Sequence, residues 1–149
     1  MTLTRDNLLR AAWIGTVVFV GTAFGAVFSD VAKTPAWLCA MLLFAAGAAA
    51  YLAAYARIVR RSRLERVELT GFIFLAGSAP AGVRRLLVGC TVVQLAVALI
   101  TAGIRPYTSL AFGIMTPMYG LGLQALWAAY FGTFPRREAD AGKKNFEEP

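Results

Sequence analysis

The side chains of this 149-residue chain that are able to do chemistry are amides, hydroxyls and guanidinium groups. Gln94 and Gln124 are isolated polar residues in long charge-free stretches, Thr91 and Thr116 lie near them in sequence, and Arg105 separates the two stretches. Amides and hydroxyls exchange hydrogen bonds, and a guanidinium binds phosphates and carboxylates. These residues predict either a Gln94–Gln124 clamp between two segments or a small polar pocket for a lipid or substrate headgroup. We favour the clamp, because a lone amide in a membrane span usually bonds to a neighbouring helix.

The same inventory argues against catalysis. There is no histidine, so we expect no haem, zinc or di-iron site and no other cofactor. All carboxylates lie outside the charge-free stretches, and no phosphate-binding loop or nucleophile motif occurs. Cys39 and Cys90 fall at different depths, so we expect two buried thiols rather than a disulfide. We therefore expect no catalytic and no metal-binding residues, and we expect that the protein is not an enzyme.

Composition indicates the elements that must position these residues. The chain is 58% hydrophobic and 15% charged, with a net charge of +7 and a mean hydropathy of +0.62. A soluble domain has about 25% charged residues and about 45–50% apolar ones. The excess apolar surface predicts membrane-spanning segments.

Charge-free runs locate those segments, because an ionised side chain in hydrocarbon costs roughly 2.5–3.5 kcal/mol. Five runs occur: 11–29, 34–56, 69–83, 86–104 and 106–135. A helix needs about 20 residues to cross the bilayer, so the third run is too short and four remain. We predict an all-α fold, a four-helix transmembrane bundle of two helical hairpins, with spans at about 11–29, 36–56, 84–104 and 109–132.

The distribution of arginine and lysine supports an even number of spans. With four spans and a cytoplasmic N-terminus, 13 cationic side chains lie inside and only Lys33 and Arg105 lie outside. Five spans would give 8 against 7. The pattern therefore predicts cytoplasmic N- and C-termini. Cleavage of the first span as a signal peptide at Ala23-Phe24-Gly25 is the alternative, and we favour an uncleaved anchor.

The predicted membrane domain covers residues 1–135, and a charged, disordered cytoplasmic tail covers 136–149. Inside the domain, residues 57–83 form a basic cytoplasmic segment. We interpret 69–83 as an interfacial connector, with a re-entrant loop as the alternative. Ser78 would cap the third helix.

Arginines in and beside this segment are candidate contacts for anionic lipid headgroups. They are Arg57, Arg60, Arg61, Arg63, Arg66, Arg84 and Arg85. We expect them mainly to set topology, and we expect no nucleic-acid partner, because no aromatic residues interleave with them as a base-stacking platform. The partners predicted are anionic headgroups of the cytoplasmic leaflet, and other integral membrane proteins or a second copy.

Small residues predict close helix packing. Gly21 and Gly25 form a small-xxx-small pair in the first span, and the second is rich in alanine from Ala45 to Ala56. Pro117 should kink the fourth span near mid-depth by removing a backbone hydrogen bond.

The stretches GSAPAGVRR, Ile104 to Tyr107 and Pro117 to Leu123 resemble small uncharacterised four-helix integral membrane proteins of actinobacteria. The resemblance implies a bacterial plasma membrane and brings no known activity or site residues. Two functions remain open. The first, which we favour, is a non-catalytic accessory, assembly or scaffolding component of a larger membrane complex. The second is a small dimeric transporter or flippase for a lipid-linked or small anionic substrate, with Arg105 turned toward the bundle.

Overall fold

The structure is a computed structural model that describes residues 4–61, 75, 79–104 and 109–132. These residues form α-helices and one 3-10 helix, and no strand occurs among them. The elements are α1 (Arg5–Phe28), α2 (Lys33–Arg61), α3 (Ala81–Ile104), a 3-10 helix (Ser109–Met115) and α4 (Pro117–Phe131). The all-helical prediction is confirmed, and α1, α2 and α3 are each long and apolar enough to cross a membrane.

The first hairpin has well-defined ends. Thr4 caps α1 by accepting a hydrogen bond from the Asn7 backbone N–H at 3.4 Å. The helix thus begins six residues before the predicted span, because charged residues outside the hydrocarbon can still be helical. The chain reverses after Phe28, and an ion pair of 2.5 Å between Lys33 and Asp30 closes the turn.

The boundaries around the basic segment differ from the predicted ones. α2 continues to Arg61, five residues beyond the predicted end of the span. α3 begins at Ala81, where the Pro80 carbonyl accepts the Arg84 N–H at 3.1 Å. Ser78 and most of the predicted interfacial connector lie outside the described residues. Leu75 is described: it is fully buried and has a left-handed φ of 55°.

At Pro117, where the sequence predicts a kink, the chain changes from a 3-10 helix to an α-helix. Pro117 has no N–H to donate to the Gly113 carbonyl, which instead accepts the Thr116 N–H at 2.9 Å with 3-10 spacing. The α-helix then begins at Pro117, a position that proline favours. The predicted fourth span is therefore a 3-10 helix followed by a 15-residue α-helix.

The four α-helices alternate in direction. One core cluster joins the start of α1, the end of α2, the start of α3 and the end of α4, through Leu8, Ile58, Leu87 and Trp127. We call this the basic end, because Arg5, Arg10, Arg57, Arg60, Arg84 and Arg85 all lie near it. At the other end, Ala26 of α1 packs on Ala36 of α2.

α4 is the central helix of the bundle. Every residue from Gly122 to Ala129 is buried, and the helix packs most extensively on α2. At the closest approach, the backbone of Gly47 lies against the backbones of Tyr119 and Gly122, where any Cβ would overlap them. A helix that is apolar on all sides is expected in such a position.

Candidate functional site

The buried amide of Gln94 joins α3 to α1. Its Nε2 donates to the Thr16 hydroxyl at 2.8 Å, and that hydroxyl in turn donates to the Ala12 carbonyl at 2.8 Å. Gln94 has no exposed surface and Thr16 is also buried. The sequence analysis did not identify Thr16 as a candidate, because the hydroxyl of a threonine in a helix usually bonds to a carbonyl one turn earlier in its own helix.

The buried amide of Gln124 joins α4 to α3. Its Nε2 donates to the Thr91 hydroxyl at 2.6 Å, which donates to the Leu87 carbonyl at 3.1 Å. Gly120 makes this approach possible, because a side chain there would overlap the Thr91 hydroxyl. The two amides thus make separate interhelical hydrogen bonds, one between α4 and α3 and one between α3 and α1.

The amides do not form the predicted direct pair. Each uses its nitrogen on a threonine, and neither Oε1 has a hydrogen-bond partner among the described residues. Thr116 is fully buried at the start of α4, and its hydroxyl also lacks such a partner. The structure therefore brings Gln94, Gln124 and Thr91 together as a link between three helices and does not bond Thr116 to it.

Tyr119 adds a contact that the sequence analysis missed. Its ring lies on the backbone of Gly15, and its hydroxyl donates to the Ala11 carbonyl at 2.9 Å. Only a glycine leaves room for the ring there. Gly15, a small residue in an apolar helix, was the feature of the sequence that indicated a close contact. Hydropathy does not reveal which helix makes that contact.

The arginines divide into two groups. Arg57 donates from Nε to the Ala129 carbonyl at 3.2 Å, and its guanidinium lies 4.1 Å from the Tyr130 ring centroid. Arg5 lies 5.5 Å from the ring centroid of Phe131. These two cations therefore hold the C-terminal end of α4, where helix carbonyls attract positive charge.

The other arginines predicted to contact lipid are either exposed or outside the described residues. Arg60, Arg84 and Arg85 are exposed at the basic end. The side chain of Arg61, and all of Arg63, Arg66 and Arg105, lie outside the described residues. Nothing in the described part therefore positions Arg105 relative to the glutamines.

A groove of about 850 Å³ opens between α1 and α3. Its walls are mainly apolar, from Trp13, Val17 and Val20 on α1 and Leu86 and Val93 on α3. Arg85, Thr16 and Cys90 also line it. Neither glutamine lines the groove.

The outward face of α2 carries a row of exposed alanines, with the exposed side chains of Leu42 and Leu52 beside them. Ala45, Ala49, Ala53 and Ala56 follow one another at helical spacing and are all exposed. The inward face of the same helix, with Gly47 and Ala54, is buried against the bundle. The alanines of α2 therefore divide between internal packing and an exposed stripe.

Metal-ligating side chains do not gather in the part of the chain that is described: no three of the histidine, cysteine, aspartate or glutamate type lie together there. Cys90 is a buried free thiol, whereas Cys39, predicted to be buried, is only partly buried. The chain matches no protein-family model, no curated protein and no solved structure.

Proposed function

We propose that this chain is a non-catalytic, multi-pass protein of the bacterial plasma membrane that serves as an accessory, assembly or scaffolding component of a larger membrane complex. The carrying observation is the exposed alanine stripe of α2. Small residues let helix backbones approach closely in lipid, where packing rather than hydrophobicity drives helix association. A partner helix packed on Ala45, Ala49 and Ala53 would gain those contacts.

The use of polar groups inside the bundle supports this proposal. The Gln94 and Gln124 nitrogens are spent on Thr16 and Thr91, so they hold helices together. Transporters that couple to protons keep ionisable groups at depth, whereas all described arginines lie toward the helix ends. The bundle is thus built to stay in one arrangement.

The proposed membrane topology has four spans with both termini in the cytoplasm. α4 alone measures about 22 Å, and the preceding 3-10 helix adds about 14 Å, so the two together suffice for a core about 30 Å thick. The arginine-rich end of the bundle would face the cytoplasm, in agreement with the positive-inside rule.

The partner surface is tested by a bulky substitution on α2. Ala49→Ile adds volume to the middle of the alanine stripe without entering the core, so the bundle should fold but release its partner. The protein, tagged at the C-terminus, is purified from its native membrane in mild detergent, and co-purifying integral membrane proteins are quantified. We expect a defined partner with the unaltered chain and a loss of at least tenfold with Ala49→Ile.

Ala96→Ile is the matched control, because Ala96 is an exposed alanine of α3 that lies outside the stripe. It should retain the partner in full. Equal retention by both variants would refute the α2 surface. A monodisperse dimer of the chain alone, with a melting temperature raised by a small ligand, would refute the accessory role.

A small dimeric transporter or flippase for a lipid-linked or small anionic substrate is the second candidate. The groove between α1 and α3, with Arg85 beside its apolar walls, is the observation that favours it. A transporter would move a lipid analogue across the bilayer of reconstituted vesicles, whereas an accessory component would not.

A further inference from the structure

We propose that the groove between α1 and α3 is a binding site for one anionic phospholipid, which lies with an acyl chain along the apolar walls and its phosphate beside Arg85 and Arg10. The inference rests on the proposed membrane location, but not on the proposed partner.

The charges favour an anion at one end of the groove. Arg85 is a lining residue, and a second concavity of about 250 Å³ shares Trp13 and Leu86 with the groove and reaches Arg10. Arg85 on α3 and Arg10 on α1 therefore line adjoining concavities at this end. The first turn of α3 also lines this end at Gly82, where the helix dipole attracts negative charge.

The aromatic residue at this end marks the depth of the headgroup. Trp13 is 59% exposed and lies between Arg10 and the apolar part of the groove. Tryptophan prefers the boundary between hydrocarbon and headgroups, where arginine side chains also extend. A phosphate at the level of Arg10 and Arg85 would thus be at its ordinary depth in the bilayer.

The remaining walls suit an acyl chain. Gly21 and Gly89 leave them open, since a Cβ at either position would meet nothing within 4 Å. The groove follows α3 from Gly82 to Val93, about 16 Å, and α1 from Trp13 to Gly21, about 12 Å. On each helix this is about half of the hydrocarbon thickness of about 30 Å. A lipid of one leaflet fits this extent, whereas a docked transmembrane helix would leave half of its length without a partner.

The test measures lipid retained by the full chain, using mass spectrometry of the protein released from mild-detergent micelles. The probes are phosphatidylglycerol and phosphatidylcholine with identical acyl chains, each titrated separately. We expect one phosphatidylglycerol per chain, bound more tightly than phosphatidylcholine. Arg85→Gln should weaken phosphatidylglycerol binding roughly fivefold and phosphatidylcholine binding less, because the choline cation offsets the charge of the phosphate.

Two controls separate the groove from the general surface. Arg84→Gln removes the same charge from the neighbouring position of α3, which does not line the groove, and should bind phosphatidylglycerol as the unaltered chain does. Gly89→Leu fills the groove and should abolish one-to-one retention of both lipids. Gly103→Leu adds the same side chain at a glycine of α3 that also has open space, and should retain them.

Thermal unfolding of each variant shows that it is folded. Equal effects of Arg84→Gln and Arg85→Gln would overturn the proposal, because the attraction would then belong to the whole basic end. A dimer that Gly89→Leu converts to a monomer, with lipid retention unchanged, would overturn it in favour of self-association. Loss of a protein partner in the Ala49→Ile experiment bears on the accessory role and leaves the lipid titration unaffected.

Discussion

Thr16 links the two helices that form the groove. Its hydroxyl accepts from Gln94 and donates to the Ala12 carbonyl, so both of its hydrogen-bonding functions are used. The Gln94 carbonyl oxygen, by contrast, is buried without a partner in the described part. The donor half of the amide therefore stabilises the bundle, while the acceptor half costs free energy.

This balance predicts the outcome of a double-mutant cycle. Thr16→Val leaves the whole Gln94 amide without a partner and should lower the free energy of unfolding by about 1 kcal/mol. Gln94→Leu also removes the unsatisfied oxygen and should cost less. Unfolding in mixed micelles, followed by circular dichroism, should show that the double variant is less destabilised than the sum of the two single ones.

Thr22→Val is the matched control on α1. The Thr22 hydroxyl donates only within its own helix, to the Val18 and Phe19 carbonyls. Its replacement should change stability little. Strict additivity of Thr16→Val and Gln94→Leu would show that the interhelical hydrogen bond does not contribute.

Three residues of this link, Gln94, Gln124 and Thr91, were candidates from the sequence, whereas Thr16 and the hydrogen-bond partner of each amide were not. Gln94 and Gln124 are conspicuous because polar residues are rare in apolar runs. Their partners depend on how each helix is rotated about its axis, and an almost uniformly apolar helix has little periodicity from which to read that rotation. Hence the sequence predicted a glutamine pair, whereas each amide meets a threonine.

At the scale of the elements, charges located the helices better than they located helix ends. The charge-free runs predicted α1, α2 and α3, but not the extension of α2 to Arg61 or the start of α1 at Arg5. The ends of a charge-free run mark the predicted boundary of the hydrocarbon core. A helix can continue past that boundary as long as its backbone hydrogen bonds continue. The last run hid a 3-10 helix, although Pro117 correctly marked the position of the change.

The contact between α2 and α4 depends on glycine at its centre. A Cβ on Gly47 would overlap the backbone of Tyr119 and the Met118 carbonyl, neither of which can rotate away. Gly47→Ala should therefore separate the helices and lower the free energy of unfolding by about 1–3 kcal/mol. Thermal unfolding of the detergent-solubilised protein measures the effect.

Gly103→Ala makes the same chemical change as Gly47→Ala, but it should raise the free energy of unfolding instead of lowering it. The position is helical and its added methyl group meets nothing within 4 Å, so the higher helix propensity of alanine should stabilise the chain by up to about 1 kcal/mol. Equal melting temperatures for Gly47→Ala and Gly103→Ala would show that the close approach of α2 and α4 carries no stability.

At the scale of the whole molecule, the basic end unites contacts that are separate in sequence. Arg5 and Arg57 hold the aromatic end of α4, while Arg10 and Arg85 flank the groove. Leu75 contributes to the same end as a buried core residue, despite its left-handed backbone. The arginines that the sequence assigned mainly to topology thus also stabilise the bundle and shape its surface.

The proposed sidedness in the membrane is open to direct measurement. In a variant with both native cysteines replaced by alanine, single cysteines are introduced by Val31→Cys, in the turn between α1 and α2, and by Ala141→Cys, in the tail. Val31 is 87% exposed, so it accepts a label without disturbing the core.

A membrane-impermeant maleimide applied to intact cells should label Val31→Cys, and should label Ala141→Cys only after the membrane is opened. The reason is that four crossings return the chain to the side on which it began, whereas three or five would place the tail outside. Labelling of both Val31→Cys and Ala141→Cys in intact cells would therefore contradict the even number of spans, whereas labelling of Ala141→Cys alone would contradict the cytoplasmic location of the termini.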